Sequence, residues 1–149
     1  MFRVIGNLLG YGAANYINTR IDFAEHPIAG QVPEDNNPVG SYRRTFSLPE
    51  GWGKQRIFVY LGAVKSAFYL WINGHKVGYS QDSKTPAEFD ITDYVKAGEN
   101  VIALQVYRWS DGTYLELQDM WRLSGIERDV YLYSAPNVRV RDFHVLSNL

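Results

Sequence analysis

The sequence predicts an all-β protein, an antiparallel β-sandwich of jelly-roll type. Three observations predict it. Roughly eight runs of strand length, alternating or apolar throughout, are separated by turn formers at short intervals. Aromatic residues make up 15% of the chain, with 11 tyrosines, 7 phenylalanines and 4 tryptophans, and half-buried pleated surfaces favour such side chains. Helical signals are confined to a single turn, and no segment repeats. Packing two such sheets face to face is the economical way to bury their apolar sides.

Residues 1–40 carry the turn formers Gly10, Gly12, Pro27, Gly30, Pro33, Asn36-Asn37-Pro38 and Gly40, with little periodicity. They are expected to form an extended arm on a sandwich of residues 41–149, the whole being one domain. Tyr42, Phe46 and Leu48 alternate with Arg43, Thr45 and Ser47, giving a half-buried strand. Residues 56–61 (RIFVYL) are apolar on both faces, as a central strand requires. Phe68–Ile72 and Lys76–Tyr79 flank Asn73-Gly74, a pair suited to the positive φ angles of a type I′ hairpin turn. Trp71, inside an apolar run, is expected in the core. Residues 87–91 give a short strand. Residues 92–98 read as one helical turn with Thr92 as N-cap and Gly98 as its stop. Residues 100–107 form a long strand with Ile102, Leu104 and Val106 inward. Residues 129–133 and 138–145 supply the last two strands.

At 149 residues the chain can bury one real core. A net charge of −1 gives no basic field, which argues against a nucleic-acid partner. There is no cysteine, so disulfides and thiolate metal sites are excluded. No apolar run approaches the roughly 18 residues of a membrane helix, so no membrane partner is expected. The start, MFRVIGNLLG, imitates a signal peptide, but Asn7 and three glycines within twelve residues break its apolar stretch. Cytoplasmic localisation is expected, with the periplasm left open.

The chemistry concentrates in residues 107–130. Two indoles (Trp109, Trp121), two acids three residues apart (Glu116, Asp119), Gln118 and Arg122 lie in one stretch, and from Ser110 to about Glu127 it lacks periodicity. Carboxylates accept hydrogen bonds from hydroxyls, and aromatic faces pack on the C–H face of a pyranose, so the mixture suits a sugar. A loop that long in a compact domain is usually functional.

Several blocks carry a family resemblance. Asn37-Pro38-Val39-Gly40-Ser41-Tyr42, Ser66 through Gly74, Val77 through Ser83 and Glu88-Phe89-Asp90-Ile91 resemble the N-terminal domain of glycoside hydrolase family 2 β-galactosidases. The most specific block runs from Arg108-Trp109-Ser110-Asp111-Gly112 through Gln118-Asp119-Met120-Trp121-Arg122 to Ser124-Gly125-Ile126. Tyr16-Ile17-Asn18 resembles that family's Tyr-Thr-Asn, and Asp142-Phe143-His144-Val145 its domain boundary. The resemblance implies a galactose-binding-domain-like jelly roll, followed by an immunoglobulin-like domain and a (β/α)₈ barrel. It implies substrate-binding roles for Asn18 and Asp119 at the rim of a galactosyl pocket. It also gives Asp119 a share in a monovalent cation, Na+, with Mg2+ left open for the larger enzyme. Two departures stand out: Leu117 replaces an acid often found there, and the family's opening strand has no match, so the chain is expected to be a fragment or to have a displaced start.

The residue-level alternatives are plain. Asp119 could instead bind backbone amides that shape the loop, and Asn18 could form an Asx-turn. Glu116 is expected to order the loop through Arg122 or a backbone amide. No catalytic residue is assigned, because the family's catalytic glutamates are in the barrel, and the chain alone is expected to be inactive. Trp109 and Trp121 are expected to plug the loop onto the sandwich rather than stack on sugar. His26, His75 and His144 lack metal spacing, Asp82 reads as a turn former, and Arg43-Arg44 and Arg139/Arg141 as solvated or interface faces. The partners expected are a galactoside and the remaining domains of the parent enzyme. The competing readings are a stand-alone carbohydrate-binding module and a structural sandwich whose unpaired edge drives homo-oligomer formation.

Overall fold

The computed structural model describes residues 4–5, 15–16, 23–24, 26–116 and 121–148. Its strands, in chain order, are β1 (Val4–Ile5), β2 (Asn15–Tyr16), β3 (Val39–Ser47), β4 (Arg56–Leu61), β5 (Val64–Lys65), β6 (Ala67–Ile72), β7 (His75–Ser80), β8 (Ala87–Asp90), β9 (Glu99–Tyr107), β10 (Trp121–Arg122), β11 (Gly125–Ile126) and β12 (Val130–Ala135). All pairings are antiparallel. The described residues contain 3₁₀ turns but no α-helix, so none is long and apolar enough to cross a membrane.

Two sheets make the body: β3-β9-β6-β7 and β12-β4-β8. The alternation read from the sequence decides which side chains meet between them. From β4 come Ile57, Val59 and Leu61, from β6 Phe68, Leu70 and Ile72, and from β9 Leu104 and Val106, all in one buried cluster. Tyr42, Phe46, Leu48 and Ile102 pack against it as expected. β4 is central in its sheet, between β12 and β8. β3 and β12 each pair with one neighbour only, so both are sheet edges among the described residues.

The hairpin turn between β6 and β7 is as the sequence requires, with φ of 52° at Asn73 and 85° at Gly74. Three expectations need correction. Trp71 is only half-buried and lies with Tyr69 on the side of β6 away from the core, their rings 5.8 Å apart. Phe68, Leu70 and Ile72 take the inner face, and an indole with an N–H is the natural occupant of the wetter one. Residues 138–145 form no strand: Val138, Val140, Phe143 and Val145 are all exposed, because no neighbouring edge among the described residues pairs with them.

The third correction concerns Thr92. It is the first residue of a 3₁₀ turn, Thr92–Tyr94, rather than its N-cap. The capping oxygen comes from Asp90, whose Oδ1 accepts the Thr92 N–H at 3.0 Å. Thr92 donates its own hydroxyl to the same oxygen and accepts the Ile57 N–H at 2.9 Å. Asp90 Oδ2 accepts Nε–H of Arg56 at 2.7 Å. Gly98, at φ 81°, does close the segment.

Asp90→Ala is expected to cost about 1–2 kcal/mol at neutral pH by chemical denaturation. Burial pushes the Asp90 pKa up, but the bonds from Thr92 and then from Arg56 outweigh it and hold the carboxyl below the ordinary aspartate value. A depressed folded pKa adds stability above the unfolded value, about 3.9, and that stability is lost as pH falls through the folded one. The difference between parent and variant therefore shrinks below about pH 4. A difference that grew on acidification would contradict this assignment.

Candidate functional site

The functional loop leaves the end of β9 under tight control. β3 and β9 pair over nine residues, from Val39 opposite Tyr107 to Ser47 opposite Glu99. The pairing is prolonged by Arg108 N–H donating to Pro38 O at 3.0 Å. Asn37 then stands in for one more strand residue. Its Nδ2 donates to Trp109 O at 3.0 Å, and its Oδ1 accepts the Trp109 N–H at 2.9 Å. Proline offers no N–H, and the asparagine side chain before it carries the pairing on by donating to and accepting from the Trp109 main chain. Trp109 is buried, with the Phe23 ring 5.3 Å from its own. It plugs the loop, as the sequence reading held.

The stretch from Ser110 is more regular than the sequence suggested. Asp111–Tyr114 is a 3₁₀ turn, with Ser110 N–H donating to Thr113 Oγ1 at 3.1 Å and Thr113 N–H to Ser110 O at 3.0 Å. Ser110 is buried, and its hydroxyl is bonded to that of Ser66. Tyr114 reaches the arm: its hydroxyl donates to Gln31 O at 2.6 Å, and its ring lies edge-on to Phe23 at 5.9 Å. Glu116 ends this part of the loop. Its carboxylate accepts the Ser83 N–H at 2.8 Å and the Ser83 hydroxyl. That is the loop-ordering role expected of it, with a backbone amide as partner.

Beyond the turn, short bridges tie the loop to the arm. Trp121 lies opposite Tyr16 and Arg122 opposite Asn15. β11 sits between β1 and β5, with Ile126 opposite both Val4 and Val64, and Gly125 opposite both Ile5 and Lys65. Arg122 is buried. Lys84 Nζ faces Glu127 Oε2 at 3.5 Å.

Asn18 and Asp119, the two residues assigned to sugar, lie outside the described residues. Their anchors do not. Asn18 follows Tyr16 by two positions and Asp119 precedes Trp121 by two, and Tyr16 and Trp121 are opposed across an antiparallel bridge.

Elsewhere, His26, His75 and His144 are exposed, and no group of three or more His, Asp or Glu able to hold a metal exists among the described residues. Asp82 is a turn former, at φ 86° with its carbonyl accepting the Thr85 hydroxyl at 2.8 Å. The sequence reading missed Asn37, Ser83, Phe23 and Tyr114, which hold the loop. Asn37 alone had a local signal, since an Asn-Pro step favours a side chain bonded to nearby backbone.

Comparison with known proteins agrees with this construction. Residues 5–136 match the family "Glycosyl hydrolases family 2, sugar binding domain". A β-galactosidase of Priestia megaterium is 52% identical over 147 residues, covering 95% of this chain and 14% of that protein. One from Yersinia pestis is 52% identical over 145 residues, covering 95% and 13%. The chain thus spans about one seventh of these relatives. Among solved structures, a Bacteroides uniformis β-glucuronidase matches with TM-score 0.62 and 32% identity, over 66% of this chain and 12% of that one. A family 2 glycosyl hydrolase of Bacteroides cellulosilyticus matches with TM-score 0.57 and 27% identity, over 66% and 12%. With the sandwich, the anchored loop and a family match over most of its length, the chain belongs to the sugar binding domain family of the family 2 glycosyl hydrolases.

Proposed function

We propose that the chain is the sugar-binding domain of a β-galactosidase, lending Asn18 and Asp119 to a galactosyl pocket completed by other domains. The observation that carries this reading is the family match over residues 5–136, together with relatives 52% identical that are named β-galactosidase. The curated relatives named β-galactosidase support galactose as the sugar, although the solved neighbours include β-glucuronidases. In this role a carboxylate accepts from sugar hydroxyls while an amide donates and accepts beside it. Hydrogen bonds that tighten as the ring flattens would then favour the transition state of a retaining hydrolysis.

One carboxylate oxygen at Asp119 suits a hard cation such as Na+. The ion's other ligands would come from the remaining domains of the parent enzyme. When bound, the ion would compensate negative charge at the pocket rim. Glu116 takes no chemical part: its carboxylate is committed to Ser83. The chain alone should show only background hydrolysis.

The test is a chimera in which this chain replaces its counterpart in the Priestia megaterium β-galactosidase. The chimera should hydrolyse a chromogenic galactoside, and Asp119→Ala should lower kcat/KM about 20- to 50-fold and weaken the response to Na+. An active chimera indifferent to Asp119→Ala would sink the proposal.

A further inference from the structure

The sheet β3-β9-β6-β7 has a second face, turned away from the core, that none of the roles above uses. Pairing sets its side chains in rows across the four strands. One row runs Ser41, Gln105, Tyr69, Tyr79, and the next Arg43, Ala103, Trp71, Lys76. Both rows point outward, because Tyr42, Leu70 and Leu104 between them pack on the core. Tyr69 is the hub of an aromatic cluster. Its ring centroid lies 4.9 Å from that of Tyr79, 5.8 Å from Trp71 and 6.0 Å from Tyr107. Tyr69, Trp71 and Tyr107 are half-buried, and Tyr79 is exposed. Lys76 Nζ lies 3.8 Å from the centroid of the Tyr69 ring.

Charge is the second observation. Arg43 and Lys76 are exposed and stand at the two ends of their row, about 14 Å apart at Cα by strand spacing. No acid belongs to either row, and neither cation has an ion pair among the described residues. Acids come only at the margins, Glu99 opposite Ser47 and Asp111 near Tyr79. Such a face suits a ligand that joins carboxylates to C–H surfaces and hydroxyls, with Arg43 and Lys76 taking the first, the rings the second and Gln105 the third. Size narrows the class. With the Val39–Tyr107 pair added, the rows span about 14 Å each way, roughly 200 Å², against roughly 800 Å² per partner in a stable protein interface. Nucleobases need open, parallel ring faces. Here Lys76 occupies that of Tyr69, and Tyr79 and Trp71 are tilted from it by 47° and 55°. Sugar rings, which are not flat, need no common plane.

We propose that this outer sheet face binds a short stretch of an acidic glycan, with Arg43 and Lys76 on its carboxylates and Trp71 and Tyr79 against its ring C–H surfaces. The site is separate from the galactosyl pocket and does not depend on the roles given to Asn18 and Asp119. The ¹⁵N-labelled 149-residue chain is titrated with trigalacturonate, with neutral galactotriose, with a triglutamate peptide and with a uridine trinucleotide. Trigalacturonate should move the Trp71 indole N–H and the amides of 76–79, and the other three should bind at least about tenfold more weakly. Raising NaCl from about 50 to about 500 mM should weaken the response. Arg43→Gln and Lys76→Gln, both at exposed positions that leave the core intact, should each weaken it about three- to tenfold. Excess methyl β-galactoside should not displace trigalacturonate. Resonances of 71 and 76–79 unmoved by trigalacturonate, or affinity unchanged in both variants, would overturn the proposal. So would an equal response to galactotriose, triglutamate or the trinucleotide, or displacement by methyl β-galactoside, which would place the ligand in the galactosyl pocket.

Discussion

Asn100→Ala should lower the free energy of unfolding by about 3 kcal/mol. Asn100 has no exposed surface, and its amide is used to capacity. Its Oδ1 accepts the Lys96 N–H and an Asn73 Nδ2–H, each at 2.8 Å. Its Nδ2 donates to Lys96 O at 2.8 Å and to Gly98 O at 3.1 Å. Asn73 extends the network, donating to Tyr94 O at 2.8 Å and accepting the Val101 N–H at 2.9 Å. Two turns that meet at one end of the sandwich are thus fastened to the start of β9 by two asparagines. Truncation removes four hydrogen bonds made by one fully buried amide and leaves the space it filled empty. Urea denaturation should show a lower midpoint with unchanged slope. Asn100→Asp is the informative companion: it keeps both acceptors but loses both donors and buries a charge, so it should be no milder than alanine. A loss under about 1 kcal/mol in both variants would mean that the network adds little.

Much of this fold could be read from residue patterns, and the failures share a cause. Asn73-Gly74 specified its turn because positive φ is a local demand. Alternation placed Ile102, Leu104 and Val106 correctly because one face of β9 is buried. Trp71 failed because its run is apolar on both faces, and periodicity cannot say which face turns inward. Thr92 failed because Asp90, two residues earlier, offers a competing capping oxygen. The alternation at 138–145 describes a segment suited to a sheet, but pairing needs an edge that sequence does not locate. The candidate site divides in the same way. Glu116 and Trp109 were placed correctly by residue type and loop context. Ser83 and Phe23 matter only through contacts made across the fold, from positions 33 and 86 residues away along the chain.

Gly78→Ala should destabilise the sandwich by about 2–3 kcal/mol, and the cost is steric rather than conformational. A Cβ at Gly78 would stand 2.4 Å from Cε1 and 2.8 Å from Cδ1 of Phe89. The Phe89 ring cannot retreat freely, since it packs edge-on against Phe68, 6.0 Å between centroids, beside the common core. Gly53 provides the contrast: it is exposed, and nothing lies within 4 Å of its would-be Cβ. Gly53→Ala should therefore be neutral or slightly stabilising. Shortening the obstructing ring should relieve the clash, so Phe89→Leu should cost less in the Gly78→Ala background than alone, a coupling of at least about 1 kcal/mol in a double-mutant cycle. Strict additivity would show that β7 moves instead of the ring.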